Sequence, residues 1–364
     1  MALTEIKDIE LDSILAEEKG IVTASVEGLS RPEWLELRKE KYTQNMFGCS
    51  DLPAIFGMIG SAHTVYEKCK GMPDTFKGNM FTKAGQFFED EIAHKVSEVL
   101  GVDVYKVPYM LSNPETPYLW ASHDFFVRPH GRRFEGYGME CKCVLSPKVK
   151  AKLGYSWSQN CQEYWKLQAT GQTWSSNLKG VIVAVMMIDQ TDMTMFWDSS
   201  EGDVGGFQGY TPKEVLDQIS YDLKWFIIPR NQTAIDNMLD GVTSFHYSLV
   251  NDMQPQVDGS EELASILKNR VKDREGVAEP TQVALVAREQ YDSLDKKIKD
   301  AKKEQLRHKN VMLGELGESQ EMKGVIKITS YMEKRLDEKA FKEAHPDLAG
   351  EFMVTKSRDR VTVL

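Results

Sequence analysis

Two short stretches decide the reading of this chain: His123-Asp124-Phe125-Phe126-Val127 and Gly138-Met139-Glu140-Cys141-Lys142-Cys143. Both are apolar apart from a few charged residues, and both read as strands. Successive side chains of a strand point to opposite faces, so Glu140 and Lys142 share one face while Cys141 and Cys143 share the other. A carboxylate and an ammonium in a run apolar enough to be buried need a compensating partner. Asp124, arriving from a neighbouring strand, makes an oxygen-rich pocket with one fixed positive charge. Hard oxygen ligands of that kind suit Mg²⁺ or Mn²⁺, and a metal with a lysine is equipment for phosphodiester hydrolysis. Taken alone, Glu-x-Lys is equally well a cross-strand ion pair on a solvated face.

Working outward, residues 81–100 have helical periodicity, with Phe81, Gly85, Phe88, Ile92, Val96 and Val99 recurring at helical spacing and Gly101 as the stop. Glu89 falls four residues after Gly85 and three before Ile92, on the same face. It is either an inward carboxylate that pairs with or coordinates something, or an edge residue reaching solvent. The order helix-Glu, strand-Asp, strand-Glu-x-Lys gives the three carboxylates their joint weight.

Elsewhere Ser30-Arg31-Pro32-Glu33 reads as a capping box opening a helix over 34–41. Ser50-Asp51 marks a second helix start before the apolar run 52–58, with Ser50 as its N-cap. Strands are expected over 104–111, 118–127, 134–144, 180–188 and 193–197, and helices over 159–170 and 213–227. The alternation argues for an α/β (α+β) fold, a central mixed β-sheet flanked by helices, with a helical C-terminal extension. We expect a leader over 1–28, a core over 29–245 and a charged helical extension and tail over 246–364. In that extension Tyr291, Leu294, Ile298 and Ala301 keep a 3–4 spacing among Lys296, Lys297, Lys299, Lys302 and Lys303. The lysines are either the solvated side of a helical hairpin or short coiled coil, or a DNA-contacting arm.

Lys+Arg 45 against Asp+Glu 55 gives a formal net charge of −10, which excludes a globally basic nucleic-acid wrapper. The five cysteines form no disulfide framework, and Cys49, Cys69, Cys141, Cys143 and Cys161 lack the spacing of an iron–sulfur site. With neither a signal peptide nor an apolar run of membrane-spanning length in view, the expectation is a soluble cytoplasmic protein without membrane contact. Trp120, Trp157, Trp165 and Trp174 flank the proposed cleft, mostly as core residues. His123 faces away from the metal pocket by strand alternation and reads as a core or supporting group.

Together these motifs resemble the lambda-exonuclease-like branch of the PD-(D/E)XK nucleases, the YqaJ-type viral recombinases. The likeness runs from about Arg31 to Trp197, through Trp34-Leu35-Glu36-Leu37-Arg38, Gly48-Cys49-Ser50-Asp51, Gly85-Gln86-Phe87-Phe88-Glu89, Ala121-Ser122-His123-Asp124 and Glu140-Cys141-Lys142. A weaker likeness covers 335–346. The resemblance implies a restriction-endonuclease-like PD-(D/E)XK core and Mg²⁺ held by Asp124, Glu140 and the Cys141 carbonyl. Glu89 would assist as a further ligand or through water, and Lys142 would orient or activate the attacking water. It further implies a 5′-phosphate grip by Arg38, Ser50 and Ser122. The family's Gln-x-Gln pair before a Thr-Gly ending is matched by Gln162 with Ala169-Thr170-Gly171, although the second Gln reads Tyr164. The implied activity is a 5′-to-3′ exonuclease on double-stranded DNA ends that leaves 3′ overhangs. Its implied setting is a homotrimer working with a single-strand annealing protein of a phage or prophage in a bacterial host. The alternatives are a phage-type endonuclease of the same fold and a catalytically silent module that binds DNA or protein.

Overall fold

The structure is a computed structural model of the 364-residue chain. It describes residues 21–72, 79–128, 134–146, 160–197, 206–207, 209–271, 277–316, 319, 321–322 and 326–327. The chain divides into two units, Met1–Asp273 and Arg274–Leu364. Among the described residues of the first, nine strands build two sheets: β1 (Ile21–Ser25), β2 (Phe47–Gly48), β3 (Val104–Lys106), β4 (Tyr109–Ser112), β5 (Leu119–Ser122), β6 (Phe125–Val127), β7 (Tyr137–Ser146), β8 (Gly180–Asp189) and β9 (Tyr221–Pro229). The larger sheet has the order β3-β6-β7-β8-β9, with β7 and β8 parallel and the other pairs antiparallel. The smaller is β1-β4-β5-β2, with β2 parallel to β5. Around them lie helices α1 (Arg31–Thr43), α2 (Ala62–Cys69), α3 (Met80–Leu100), α4 (Glu163–Ser175), α5 (Gln232–Val250) and α6 (Glu261–Val271). This is the mixed sheet flanked by helices that the sequence predicts.

Strand β8 shows how the layers form. Ile182, Ala184, Met186 and Ile188 join the cluster of Ala84, Phe88, Ile92 and Val96 from α3. Val181, Val183, Val185 and Met187 join Trp165 and Ala169 from α4. A strand buried on both faces reads as a continuous apolar run, as Gly180–Asp189 does. Strand β7 shows the predicted alternation: Met139, Cys141 and Cys143 lie with the α3 cluster, while Glu140 and Lys142 meet α4. Helix α3 starts at Asn79, whose side chain accepts from the Thr82 N–H at 3.0 Å, and stops at Gly101 with φ of 65°. Helix α1 opens where the Glu33 carboxylate accepts from both the N–H and the hydroxyl of Ser30.

Several boundaries differ from the expectation. The expected strands 104–111 and 118–127 are each two strands that pass from one sheet to the other. The first breaks at Val107-Pro108, where Pro108 has no N–H to donate and its carbonyl instead accepts from the Val26 N–H at 2.7 Å. The second breaks at His123-Asp124. Residues 193–197 are the end of a short helix and a turn, and the fifth strand of the larger sheet is Tyr221–Pro229, which takes up the second half of the expected helix 213–227 and runs two residues past it. Only Pro212–Leu216 is helical there, opened by Thr211 and Glu214. Helix α4 runs Glu163–Ser175 rather than 159–170. The boundary expected at 245/246 falls inside α5, and Ile21–Ser25 of the expected leader pairs with β4.

In the second unit, helix α7 (Gln282–Gly314) buries no residue, and its lysines are exposed. A short hairpin pairs Glu321–Met322 with Ile326–Lys327. The likeness over 335–346, Gln159 and Trp157 lie outside the described residues.

Candidate active site

The seam between the two sheets positions the acidic residues. Strand β6 pairs with β7 at Phe126↔Gly138 and Phe125↔Met139, and the ladder ends there as the chain turns towards β5. The Cys141 N–H would be left without a ladder partner, and the Asp124 Oδ2 accepts from it at 2.7 Å. A strand residue projects its N–H and C=O to the same side, so the Cys141 carbonyl is directed towards Asp124 as well.

On the other face of β7, Glu140 is buried and its oxygens are matched. Oε1 accepts from Lys142 Nζ at 2.7 Å and from Gln168 Nε2 at 2.7 Å, and Oε2 accepts from Gln172 Nε2 at 2.5 Å. Lys142 Nζ also donates to Gln168 Oε1 at 3.0 Å. Burial pushes the Glu140 carboxyl up, but the Lys142 charge and the donated hydrogen bonds outweigh it and hold the group below its ordinary value. Lys142 is raised for the reciprocal reason: burial pulls the ammonium down, but the Glu140 carboxylate, joined by the Asp124 charge, outweighs it. Asp124 lies well above the usual carboxylate range, through burial first and then the charges of Glu140 and Glu89.

Glu89 stands at the edge of the α3 stripe and is 34% exposed, with Lys106 Nζ 4.0 Å away. The side chain is partly exposed and also faces the Lys106 ammonium, and Val99 on the same expected stripe is 58% exposed. Burial nonetheless raises the Glu89 carboxyl, opposed by Lys106 and reinforced by Asp90 and Glu140. The three carboxylates therefore feel one another's charge, yet among the described residues no three His, Cys, Asp or Glu side chains form a ready metal cluster. The geometry explains it: α3 covers the Met139 face of β7, Glu140 occupies the opposite face, and Asp124 sits where β6 leaves the ladder. The donor set fits a hard divalent cation in its chemistry: carboxylate oxygens, of which those of Asp124 and Glu89 are held above the ordinary carboxylate range by burial and by neighbouring negative charge.

Gln162 is at the N-cap of α4, and the glutamines that reach Glu140 are Gln168 and Gln172. Their (i, i+4) spacing puts both on one helix face, a signal present in the sequence that the Gln-x-Gln alignment passed over. His123 is buried, with Nε2 2.7 Å from Ser176 Oγ, and burial lowers it to about 4. It supports the seam from inside, as alternation predicts.

Arg38 and Ser50 do come together: Arg38 Nη2 donates to Ser50 Oγ at 3.4 Å and to the Tyr42 hydroxyl at 2.9 Å. Tyr42 donates to the buried Asp51 carboxylate, which also accepts from the Gly48 N–H. Ser50 is not the expected N-cap; it lies in a single 3₁₀ turn, Cys49–Asp51, and Asp51 precedes the one-turn helix Leu52–Ile55. Ser122 ends β5, and among the described residues it makes no hydrogen bond to Arg38 or Ser50. Trp120, Trp165 and Trp174 are core residues, with the Arg38 guanidinium 5.3 Å from the Trp120 ring.

A mixed sheet with helices on both faces and an Asp…Glu-x-Lys set at its seam defines the restriction-endonuclease-like, PD-(D/E)XK class. Residues 33–179 match the family model of the YqaJ-like viral recombinase domain. Among solved structures, an alkaline exonuclease (LHK-Exo) from Laribacter hongkongensis is 14% identical with a TM-score of 0.41, covering 66% of this chain and 98% of its own. A phage-related exonuclease from Haemophilus somnus 129PT is 16% identical with a TM-score of 0.38, covering 57% and 96%. No curated protein matches the chain. Among the described residues no helix is long and apolar enough to cross a membrane.

Proposed function

We propose that this chain is a metal-dependent deoxyribonuclease that degrades one strand of duplex DNA from its 5′ end and leaves a 3′ single-stranded overhang for phage-type recombination. The reading rests on the buried Glu140–Lys142 pair, braced by two glutamines beside Asp124, inside a YqaJ-like domain. Asp124, Glu140 and the Cys141 carbonyl would hold Mg²⁺, with Glu89 as a further ligand or acting through water, and Mn²⁺ would substitute. When bound, the ion stabilises charge on the phosphoryl group and lowers the pKa of an attacking water. Lys142 keeps a fixed ammonium beside the carboxylates, positive charge where phosphoryl oxygens become more negative. Gln168 and Gln172 hold Glu140 in one orientation, so the carboxylate needs little rearrangement when substrate arrives. Arg38 and Ser50 suit a terminal 5′-phosphate, because a guanidinium forks two oxygens and a hydroxyl serves a third; Ser122 is the remaining candidate for that grip.

A homotrimeric ring would let a protein of net charge −10 stay on DNA by topology rather than bulk attraction. A single-strand annealing protein would then take over the overhang in the bacterial cytoplasm. Digestion of 5′-labelled, 3′-labelled and covalently closed circular duplex, with Mg²⁺ and with EDTA, tests the reaction. The expected result is early release of the 5′ label, an intact circle and no release in EDTA. A cut circle selects the endonuclease, and DNA binding without cleavage selects the silent module. Light scattering that finds only monomer removes the ring.

A further inference from the structure

Helix α7 has no role in the reading above, and its charge is unevenly placed. Residues 296–309 carry seven Lys and Arg against two Asp and Glu, whereas 282–295 carry one against three. The whole chain has a net charge of −10, so this stretch is a local reversal of sign. At 3.6 residues per turn, Lys296, Lys299, Lys302, Lys303, Arg307 and Lys309 fall on one half of the helix circumference. All six are exposed. Lys299 pairs with Asp295 at 2.7 Å and Arg307 with Glu304 at 2.7 Å, surface pairs of the weak kind that a phosphate can displace. Among the described residues Lys296, Lys302, Lys303 and Lys309 have no carboxylate within ion-pair distance. Lys296 and Lys299, Lys299 and Lys303, and Lys303 and Arg307 stand three or four residues apart, where like charges repel and weaken a helix. A polyanion lying along this face removes that repulsion.

We infer that the basic face of α7 is a second DNA-binding surface, which grips the phosphodiester backbone of duplex DNA without reading sequence and without needing a strand end. The inference rests on the proposed action on DNA and extends it to the second unit. Length and charge spacing agree. The stretch 296–309 is about 21 Å long at 1.5 Å per residue, and a DNA strand presents a phosphate about every 3.4 Å, roughly six over that length. Lysine brings a point charge on a flexible stem, which suits phosphates in any sequence. An anionic membrane surface also attracts lysines, but a helix lying on a membrane sets Trp, Phe or Leu opposite its basic face. Here 296–309 contain no aromatic residue, and Leu306 lies among the lysines.

A fluorescent dumbbell duplex, closed by a loop at each end, offers no 5′ terminus, and in EDTA its anisotropy reads binding without cleavage. The slope of log affinity against log salt counts about 0.9 per neutralised phosphate. Screening confines that count to phosphates within about 8 Å at physiological salt. In the full chain, Lys296→Gln/Lys302→Gln/Lys303→Gln should make the slope shallower by about two to three, equally for dumbbells of unrelated sequence. Glutamine preserves helix propensity, and the triple Lys→Arg variant should return the slope to that of wild type. A triple Gln variant with the wild-type slope overturns the surface, as does a wild type that ignores the dumbbell. A retained DNA slope with lost binding to phosphatidylglycerol vesicles gives the face to a membrane and overturns it too. A wild type that shows the slope but cuts no linear duplex in Mg²⁺ overturns the nuclease reading alone, so the two fail separately.

Discussion

Glu140 is a charge kept inside the protein by matching, with 7% of its surface exposed and hydrogen bonds arriving at both oxygens. A buried ion pair is weak evidence for stability, but breaking one is expensive because the surviving charge has lost its partner. Lys142→Ala should therefore destabilise the protein by about 3–5 kcal/mol in EDTA as well as abolish cleavage. Glu140→Gln/Lys142→Ala should be less destabilised than Lys142→Ala alone, since no carboxylate is left stranded. Urea unfolding of the two single variants and the double variant measures the coupling. Added Mg²⁺ should restore part of the lost stability in Lys142→Ala, where a cation replaces the ammonium, and should do so less in the double variant. A Lys142→Ala protein as stable as wild type in EDTA means that water already solvates Glu140.

The helix that supplies the two glutamines is held by close approach. A Cβ on Gly171 would lie 2.4 Å from Leu52 Cδ1 and 3.0 Å from Cys49 Sγ, so α4 meets the Cys49–Leu52 segment where only a hydrogen fits. Gly171→Ala should force that contact apart and destabilise the fold by about 1–3 kcal/mol, read by chemical denaturation, although alanine is the better helix former. It should also lower cleavage, because Gln168 and Gln172 ride on the same helix; a variant with wild-type stability shows that Leu52 can move aside. The close approach was invisible in the sequence, whereas the residues that β7 presents were plain, because strand alternation is local and strict. The same locality failed at Tyr221–Pro229. There Val215, Leu216, Ile219, Leu223, Phe226 and Ile227 mimic a helical stripe, and nine residue pairs with β8 decide for a strand instead. Gln162 enters the site only through the Gln-x-Gln spacing of the resemblance, while the (i, i+4) pair Gln168 and Gln172 gains its meaning from Glu140 facing α4. Asp124 was legible as a lone acid among apolar residues. Its role of pairing with the Cys141 N–H was not, since it depends on two sheets parting at His123-Asp124.

The extent of the first unit is a statement about which burial completes it. The polar stretch 240–259 suggests a boundary near 245, yet Leu249, Leu263 and Ile266 beyond that point are buried at 0%, 0% and 5% exposure. Polar contacts cross it too: Lys70 Nζ donates to the Leu249 carbonyl at 2.7 Å, His63 Nδ1 lies 2.9 Å from the Pro255 carbonyl, and Gln254 donates to Glu67 at 2.9 Å. His63 and Glu67 are themselves buried, 3.2 Å apart, so Gln254 completes a polar group enclosed between α2 and the segment after α5. Each buried Leu or Ile contributes about 1.5–3 kcal/mol, against a typical total of about 5–15 kcal/mol. A chain ended at residue 245 would lose three such side chains and open the His63–Glu67 pair, which is enough to consume most of that margin. A chain ended at residue 273 keeps all of them. Thermal melting and limited proteolysis of the two truncations should give a cooperative, protease-resistant fold for 1–273 and a markedly lower Tm, or none, for 1–245. Equal melting temperatures would mean that α6 and the end of α5 cover the unit without supporting it.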